Sequence, residues 1–331
     1  MQNKKHLKIG LQILAIALFF LIPMLEENRY RIFILTRMAI NITAALGLSV
    51  LIGFTGQMSL GHAAFFGIGA YASAILTKNF GFSFWIALPV VCLLNFVIGL
   101  IIGRPALRLK GLYLSLATLG FAELIQLVMS QWKNVTGGWN GFGNIPAPTI
   151  GPLSFAKEHQ FYYIAIVMAL ITVFATYRII NSRTGRAMIA IREDELAAES
   201  SGVNTTKYKV LAFAISTLFA GLGGSLYAHS VKFISPDSFT INESVVFLSI
   251  VVIGGRIGSI PGTIIAGIVL TLVPELLRTF SLYQAMLYGL VIIIIMNLLP
   301  DGIGGIINEV SKRLRLRHKS KPKNDGQIGG E

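Results

Sequence analysis

The chain has 331 residues, of which 54% are hydrophobic and only 13% are charged, and its formal net charge is +13. Its mean hydropathy of +0.69 lies outside the range of soluble domains of this length, which excludes a water-soluble protein. Several uncharged runs reach the roughly 20 residues that a spanning helix needs, and the alternating pattern of β-barrel strands is absent. The composition therefore predicts an all-α, polytopic transmembrane bundle.

Ten apolar runs predict about ten transmembrane helices. In chain order they lie near residues 8–26, 33–53, 60–77, 82–103, 112–130, 161–178, 210–228, 243–254, 262–277 and 284–300. The first run follows a basic start but has no small-x-small cleavage site after it, so we interpret it as a retained helix. The eighth run is short for a full crossing, and a re-entrant segment is the alternative for it.

Basic residues are distributed unevenly between the two sides of this predicted bundle. With the N-terminus inside, one side receives 20 of the 28 Lys and Arg residues and the other side seven, while Arg37 falls within the second span. The positive-inside rule then predicts that both termini are cytoplasmic. Because topology accounts for the basic excess, nucleic-acid binding is disfavoured.

The predicted transmembrane domain covers residues 1–310 and includes an extracytoplasmic loop at 131–160. This loop is rich in Gly and Pro and is predicted to be irregular. Its Trp132 and Trp139 fit either the interface anchors of a plain connector or contacts with a partner protein. Residues 311–331 form a basic cytoplasmic tail that suits anionic lipid headgroups and is expected to be disordered.

Residues 181–209 are predicted to form a cytoplasmic loop with a short helix outside the bilayer. Its boundaries are predicted from its capping residues: Ser182 or Thr184 at the start, Gly202 at the end, and Asn204 or Thr205 before the next span. Two interpretations remain open from the residues alone. The helix is either a solvated connector with local pairing of Arg192 and Glu195, or an element that docks onto a partner.

The sequence lacks the signatures of nucleotide binding and of metal binding. It has no Gly-Lys dipeptide, so a P-loop is excluded and any use of ATP requires another polypeptide. The five histidines are scattered, and the single cysteine, Cys92, has no partner. We therefore expect this chain to bind no cofactor and no metal.

Polar side chains at membrane depth are functional candidates because they are costly there. They are Arg37, Asn41, Gln57, Ser59, His62, Asn95, Glu123, Glu275 and Asn297. For Glu123, a structural hydrogen bond is favoured over a proton or cation site, because its own predicted helix carries no second carboxylate.

The stretch GFTGQMSLGHAAFFGIGA, residues 53–70, interrupts the apolar pattern at the predicted cytoplasmic face. Its first glycines are predicted to shape a break between two helices, and its last two are predicted to let helices pack closely; these are Gly53, Gly56 and Gly61, then Gly67 and Gly69. A loosely similar pattern occupies residues 253–269. The pair raises the hypothesis of an inverted internal repeat.

Several motifs together resemble the permease subunits of branched-chain amino-acid ABC importers, in particular the LivM-like subunits. They are GFTGQMSLGHAAFFGIGAYA (53–72), LKGLYLSLATLGFAELI (109–125), TGGWNGF (136–142), TGRAMIAIREDELAAESSGVN (184–204), AFAISTLFAGLGGSLYAH (212–229), GGRIGSIPG (254–262) and LLPDGIGGI (298–306). They follow one another in family order across nearly the whole chain.

This resemblance implies a cell-membrane subunit that works by alternating access. It implies a second homologous permease, two cytoplasmic ATPase subunits that bind ATP and Mg, and an extracytoplasmic substrate-binding protein. It assigns the ATPase-coupling helix to Arg186, Arg192, Glu193, Asp194, Glu195 and Gly202. Candidates for the translocation pathway or gate are Gly56, Gln57, Ser59, Gly61, His62, Thr118 and Glu123.

Two alternatives to this function remain. A related ABC permease for urea, short amides or another small solute would share the same motifs. A stand-alone, ion-coupled secondary transporter would use Glu123 as its coupling site and would need no ATPase.

Overall fold

The computed structural model describes residues 23, 26, 28–109, 111–255, 259–299 and 302–305. Nearly all of the first predicted span, 8–26, and the whole tail, 311–331, lie outside the described residues. The predictions for those two segments therefore stay predictions.

Helices dominate the described part of the chain. They are α1 (Arg29–Thr55), α2 (His62–Lys78), α3 (Phe84–Ala106), α4 (Leu112–Gln131), α5 (Lys133–Thr136), α6 (Glu158–Ile180), α7 (Arg183–Glu193), α8 (Glu195–Ser200), α9 (Thr205–Val231), α10 (Ile241–Gly254), α11 (Ile260–Leu276) and α12 (Gln284–Leu298). Short 3₁₀ segments lie at Gly138–Asn140, Pro236–Phe239 and Leu277–Tyr283. Residues 302–305 are also helical.

Eight helical segments in the described residues are long and apolar enough to cross a membrane. They correspond to α1, α3, α4, α6 and α9, to Pro236–Gly254 and Ile260–Phe280, and to a segment from Met286 to Gly305. The prediction of ten spans stays a prediction, because nearly all of the first span lies outside the described residues. The predicted third span corresponds to α2, which is shorter, with 17 residues between Gly61 and Asn79.

The described residues confirm a mainly helical fold and add a small amount of sheet. Four two-residue strands form two antiparallel pairs: β1 (Phe142–Gly143) with β4 (Phe233–Ile234), and β2 (Thr149–Ile150) with β3 (Leu153–Ser154). Three of these strands lie in the loop that was predicted to be irregular. Two-residue strands are too short to leave a periodic hydrophobic pattern, so the sequence carries no signal for them.

Helix α9 lies at the centre of the bundle and packs against α1, α2 and α3. In the most apolar stretches, 94% of the residues of α1 and 83% of those of α9 are buried, against 28% in α4 and in α6. The core is therefore built around α1 and α9. The peripheral helices leave apolar side chains exposed, as expected of surfaces that face lipid or another subunit.

Small residues set the close approach of α2 to α9, as predicted. A Cβ atom at Gly69 would collide with the backbone of Gly221, and the hydroxyl of Ser225 donates to that of Ser73 at 2.7 Å. At Gly67, a Cβ atom would lie 2.9 Å from Cγ of Phe239. Glycine lets two helix backbones touch, and the resulting van der Waals contact is what holds helices together in a membrane.

Candidate functional site

The predicted helix break between α1 and α2 is present in the structure. Helix α1 ends at Thr55, and Gly56 follows it in the left-handed conformation with φ +70°, which glycine adopts without strain. The chain is then non-helical until Gly61 caps α2. Gly53 lies inside the last turn of α1, so its predicted role in shaping the break is wrong.

The break is held against the first turns of α4. The backbone N–H of Leu60 donates to Oγ1 of Thr118 at 3.0 Å, and the hydroxyl of Ser115 donates to the carbonyl of Met58 at 3.3 Å. At Gly61, a Cβ atom would lie only 2.6 Å from the carbonyl oxygen of Thr118. Any movement of the break relative to α4 must therefore disturb this contact.

The break also contacts α7. Nη1 of Arg192 donates to the carbonyl of Gly53 at 2.7 Å, and a Cβ atom at Gly56 would lie 3.5 Å from Cγ of Arg192. One arginine therefore joins the connection between α6 and α9 to the end of α1. Its acceptor is a backbone carbonyl, and no sequence motif predicts such a contact.

The predicted helix between α6 and α9 is in fact two helices. Asp194 separates α7 from α8 with an extended backbone, and its carboxylate accepts a hydrogen bond from the N–H of Ala197 at 3.0 Å. Aspartate favours such a cap because its side chain competes for backbone N–H groups. The predicted caps Ser182 and Asn204 are both confirmed, since their side chains accept from Gly185 and Lys207.

The charges of this connection have partners that the sequence did not reveal. Oε1 of Glu195 lies 2.6 Å from Nζ of Lys209, whose side chain is only 5% exposed at the start of α9. Arg186 donates to the carbonyl of Asn181 at 3.3 Å. Glu193 and Asp194 are exposed, as are Arg183 and Arg186, so the connection presents charges of both signs on its outer surface.

Some predicted pathway residues lie elsewhere. His62 is 2% exposed, and its Nε2–H donates to the carbonyl of Ala44 at 2.8 Å, so it fixes α2 onto α1. Glu123 is exposed on α4, and no hydrogen bond or ion pair joins it to a described residue, so its predicted structural hydrogen bond stays a prediction. The structure brings Gly56, Ser59, Gly61 and Thr118 together with Arg192 but leaves Glu123 apart.

The structure adds contact residues that the sequence interpretation missed. Ser115 lies one turn before Thr118 on the same face of α4, and this spacing was the available signal. The hydroxyl of Ser244 accepts the N–H of Ala63 at 2.9 Å and thereby joins α10 to the start of α2. Among the described residues, no cluster of three or more His, Cys, Asp or Glu side chains is placed to hold a metal ion.

Comparison with known proteins extends these observations to a family. The family described as "branched-chain amino acid transport system / permease component" matches residues 30–296. The chain belongs to this permease family. The match begins in α1 and ends in α12, so it covers the helix break, the α7–α8 connection and the central helix α9 together.

Individual relatives support the same assignment. The high-affinity branched-chain amino acid transport system permease protein LivM of Escherichia coli is 35% identical over 91% of this chain and 75% of its own length. LivM of Salmonella typhimurium is 34% identical over the same shares. LivH, a second permease protein of that system in Salmonella typhimurium, is 24% identical over 79% of this chain and 90% of its own length. No solved structure matches the permease.

The Gly61 contact yields the first prediction. Replacing Gly56 and Gly61 by leucine is expected to reduce solute uptake by the permease to below about a tenth of normal, because each leucine carries a cost of roughly 1–3 kcal/mol from strain or overpacking. Uptake is measured in membrane vesicles that contain equal amounts of the permease. Gly120→Leu is the control, because a Cβ atom at this position of α4 meets nothing within 4 Å. Normal uptake by the double variant would mean that the break tolerates side chains and does not gate.

Proposed function

We propose that the chain is a transmembrane permease subunit of an ATP-driven importer for branched-chain amino acids. The observation that carries this proposal is the similarity to LivM proteins across 91% of the chain. The chain performs no covalent chemistry in this proposal. It supplies half of a path that opens alternately to the two sides of the membrane.

The proposed partners follow from the same comparison. The chain is similar to two permease proteins of one transport system in one organism, LivM and LivH, which supports pairing with a second, homologous permease. ATP and Mg are held by two separate ATPase subunits, in keeping with the absence of a Gly-Lys dipeptide from this sequence. An extracytoplasmic binding protein delivers the solute.

The proposed topology places both termini and the α7–α8 connection in the cytoplasm, as the distribution of basic residues favours. The α7–α8 connection then docks onto an ATPase with Arg186, Glu193, Asp194 and Glu195. Ser259 caps α11 by accepting from the N–H of Gly262, whereas Gly61 caps α2 without a side-chain hydrogen bond. The inverted repeat therefore rests on the similar patterns of residues 53–70 and 253–269 and stays a hypothesis.

The proposed mechanism transmits ATPase movement through Arg192. A shift of α7 pulls on the carbonyl of Gly53 and moves the end of α1, and the hinge at Gly56 passes this movement to the segment held by Thr118 on α4. Packed contacts of this kind switch between discrete arrangements rather than deform gradually. The solute path therefore opens on one side as it closes on the other.

Two alternative functions predict different results in an uptake experiment. Related permeases for urea or short amides would share the coupling geometry, because nothing in that geometry selects a solute. A stand-alone ion-coupled transporter would use the exposed carboxylate of Glu123 as its coupling site.

The deciding experiment is uptake by the complex reconstituted in liposomes with both permeases, the ATPases and the binding protein. We expect radiolabelled leucine, isoleucine and valine to accumulate only when ATP is present, and urea or acetamide not to accumulate. Accumulation of urea or acetamide in place of the amino acids would favour the first alternative. Leucine uptake driven by an ion gradient through this chain without ATPases would refute the ATP-driven proposal.

A further inference from the structure

A cavity of about 540 Å³ lies between α1, α9, α10, α11 and α12, away from the helix break. This volume falls within the range of roughly 300–1,000 Å³ that is usual for small-molecule sites. The cavity lies near the first residues of α1 and α10, at the end of the bundle opposite to Arg192. In the proposed topology this is the extracytoplasmic end.

Four charged side chains line this cavity, those of Arg37, Glu243, Glu275 and Arg278, and they form two ion pairs. Nη2 of Arg37 lies 3.8 Å from Oε1 of Glu243, and the two side chains are 28% and 21% exposed. The guanidinium of Arg37 also lies over the ring of Tyr227, 4.7 Å from its centroid. Arg37 lies eight residues into α1, about 12 Å along the helix axis from its start. Charges at such depth are costly and mark functional positions by default.

Two polar atoms at the cavity wall lack partners. Nδ2 of Asn41, one turn beyond Arg37, donates to the hydroxyl of Thr271 at 3.0 Å, while its Oδ1 has no hydrogen-bond partner among the described residues. The hydroxyl of Tyr288 is likewise buried without a partner in the described chain. Asn41 is only 4% exposed, so its free acceptor is not satisfied by bulk water. Both atoms are also closed off from the cavity, so a ligand would reach them only after a shift of the wall.

The rest of the wall is mixed: its polar side chains include Tyr30, Thr271 and Gln284, and its apolar side chains come from several helices. Phe33 and Ile34 of α1, Val246 of α10 and Leu270 of α11 line it. A ligand that matches Arg37, Glu243 and the apolar part of the wall therefore needs an anion, a cation close to it and an aliphatic part. A simple ion would match only one of the two charges.

We infer that this cavity binds a zwitterionic aliphatic α-amino acid inside the helical bundle of this one subunit. The carboxylate pairs with Arg37 and the ammonium with Glu243, while the side chain lies against Val246 and Leu270. This inference rests on the proposed function and names the site of its solute. The ammonium and carboxylate of an α-amino acid are held close together, and this matches the short distance between the two protein charges.

The test is cysteine protection in membrane vesicles that contain the full importer. Val246→Cys is introduced together with Cys92→Ser, and its rate of reaction with a small methanethiosulfonate reagent is measured with and without L-leucine. We expect leucine to slow the reaction at least about threefold, whereas leucinamide and 4-methylpentanoate, which each lack one charge, give no protection. Val245→Cys is the control, because this neighbour is 41% exposed and does not line the cavity.

A second variant tests the charge recognition. Arg37→Gln is expected to abolish the protection of Val246→Cys. Arg31→Gln, also on α1, removes only an ion pair with Glu26 ahead of the helix and is expected to leave the protection intact. Equal protection in both variants would overturn the inference. Reaction rates that respond only to exchange of phosphatidylethanolamine for phosphatidylglycerol would also overturn it, because they would identify a lipid headgroup as the occupant.

Uptake measured on the same vesicles distinguishes failure of this binding site from failure of the proposed function. ATP-driven leucine uptake without protection of Val246→Cys would refute this site and leave the proposed function standing. Absence of uptake of any branched-chain amino acid by the unmodified importer would refute the proposed function itself.

Discussion

Replacing Arg192 by methionine is expected to lower ATP-driven leucine uptake by about tenfold while the complex still assembles and hydrolyses ATP. The variant loses the hydrogen bond to the carbonyl of Gly53 but keeps much of the side-chain volume. A hydrogen bond to a charged group contributes about 1.5–3 kcal/mol, and each 1.4 kcal/mol changes an equilibrium about tenfold. The site is partly exposed, so we expect the lower end of this range.

The measurement compares uptake with ATP hydrolysis in the same proteoliposomes. Uncoupling appears as hydrolysis within about twofold of normal together with the lower uptake. Arg183→Met is the matched control on α7, because the Arg183 side chain is exposed. Equal loss of uptake in both variants would show that the positive charge of α7 is needed for docking onto the ATPase. It would also show that the contact of Arg192 with Gly53 does not transmit the movement.

Replacing Gly69 by alanine is expected to destabilise the folded permease by roughly 1–3 kcal/mol, the usual cost of overpacking. The added Cβ atom would collide with the backbone of Gly221, and a backbone cannot turn away as a side chain does. Helices α2 and α9 must therefore separate, and the hydrogen bond between Ser73 and Ser225 is strained. The free energy of unfolding is measured by titration with a denaturing detergent in mixed micelles.

Replacing Gly289 by alanine is not expected to lower the free energy of unfolding. A Cβ atom on this residue of α12 meets nothing within 4 Å, and alanine is favoured over glycine in a helix by about 1 kcal/mol. We therefore expect Gly289→Ala to leave stability unchanged or slightly higher. A variant at Gly69 that is as stable as the one at Gly289 would show that α2 and α9 are not in close contact in the membrane.

Local features of the structure were largely predictable. The caps Ser182 and Asn204, the left-handed Gly56 and the close packing at Gly67 and Gly69 all follow from the preferences of single residues or of residues one helical turn apart. The prediction failed where two local preferences of similar strength compete. Asp194 lies within strong helix-forming sequence, yet its carboxylate caps a new helix and divides the segment into α7 and α8.

The candidate site was predictable only in part. The residues around the break were identified from their unusual composition, but their contacts with Thr118 and Arg192 were not. The polar residues Arg37 and Asn41 were recognised as costly in a membrane, while their association with Glu243 and Thr271 depended on how distant helices pack. Pairings between residues far apart in the chain leave no pattern in a single sequence.

The sequence by itself determined that this protein is a helical membrane protein, and its ordered motifs already resembled one permease family. It could do so because hydropathy, helix caps and glycine spacing act over one or a few turns. Only the tertiary structure decided that Arg192 holds the end of α1, that Glu195 pairs with Lys209 and that opposite charges share a cavity. Those contacts follow from the packing of α1 and α9 in the core, and one of their acceptors is a backbone carbonyl, a group that every residue carries.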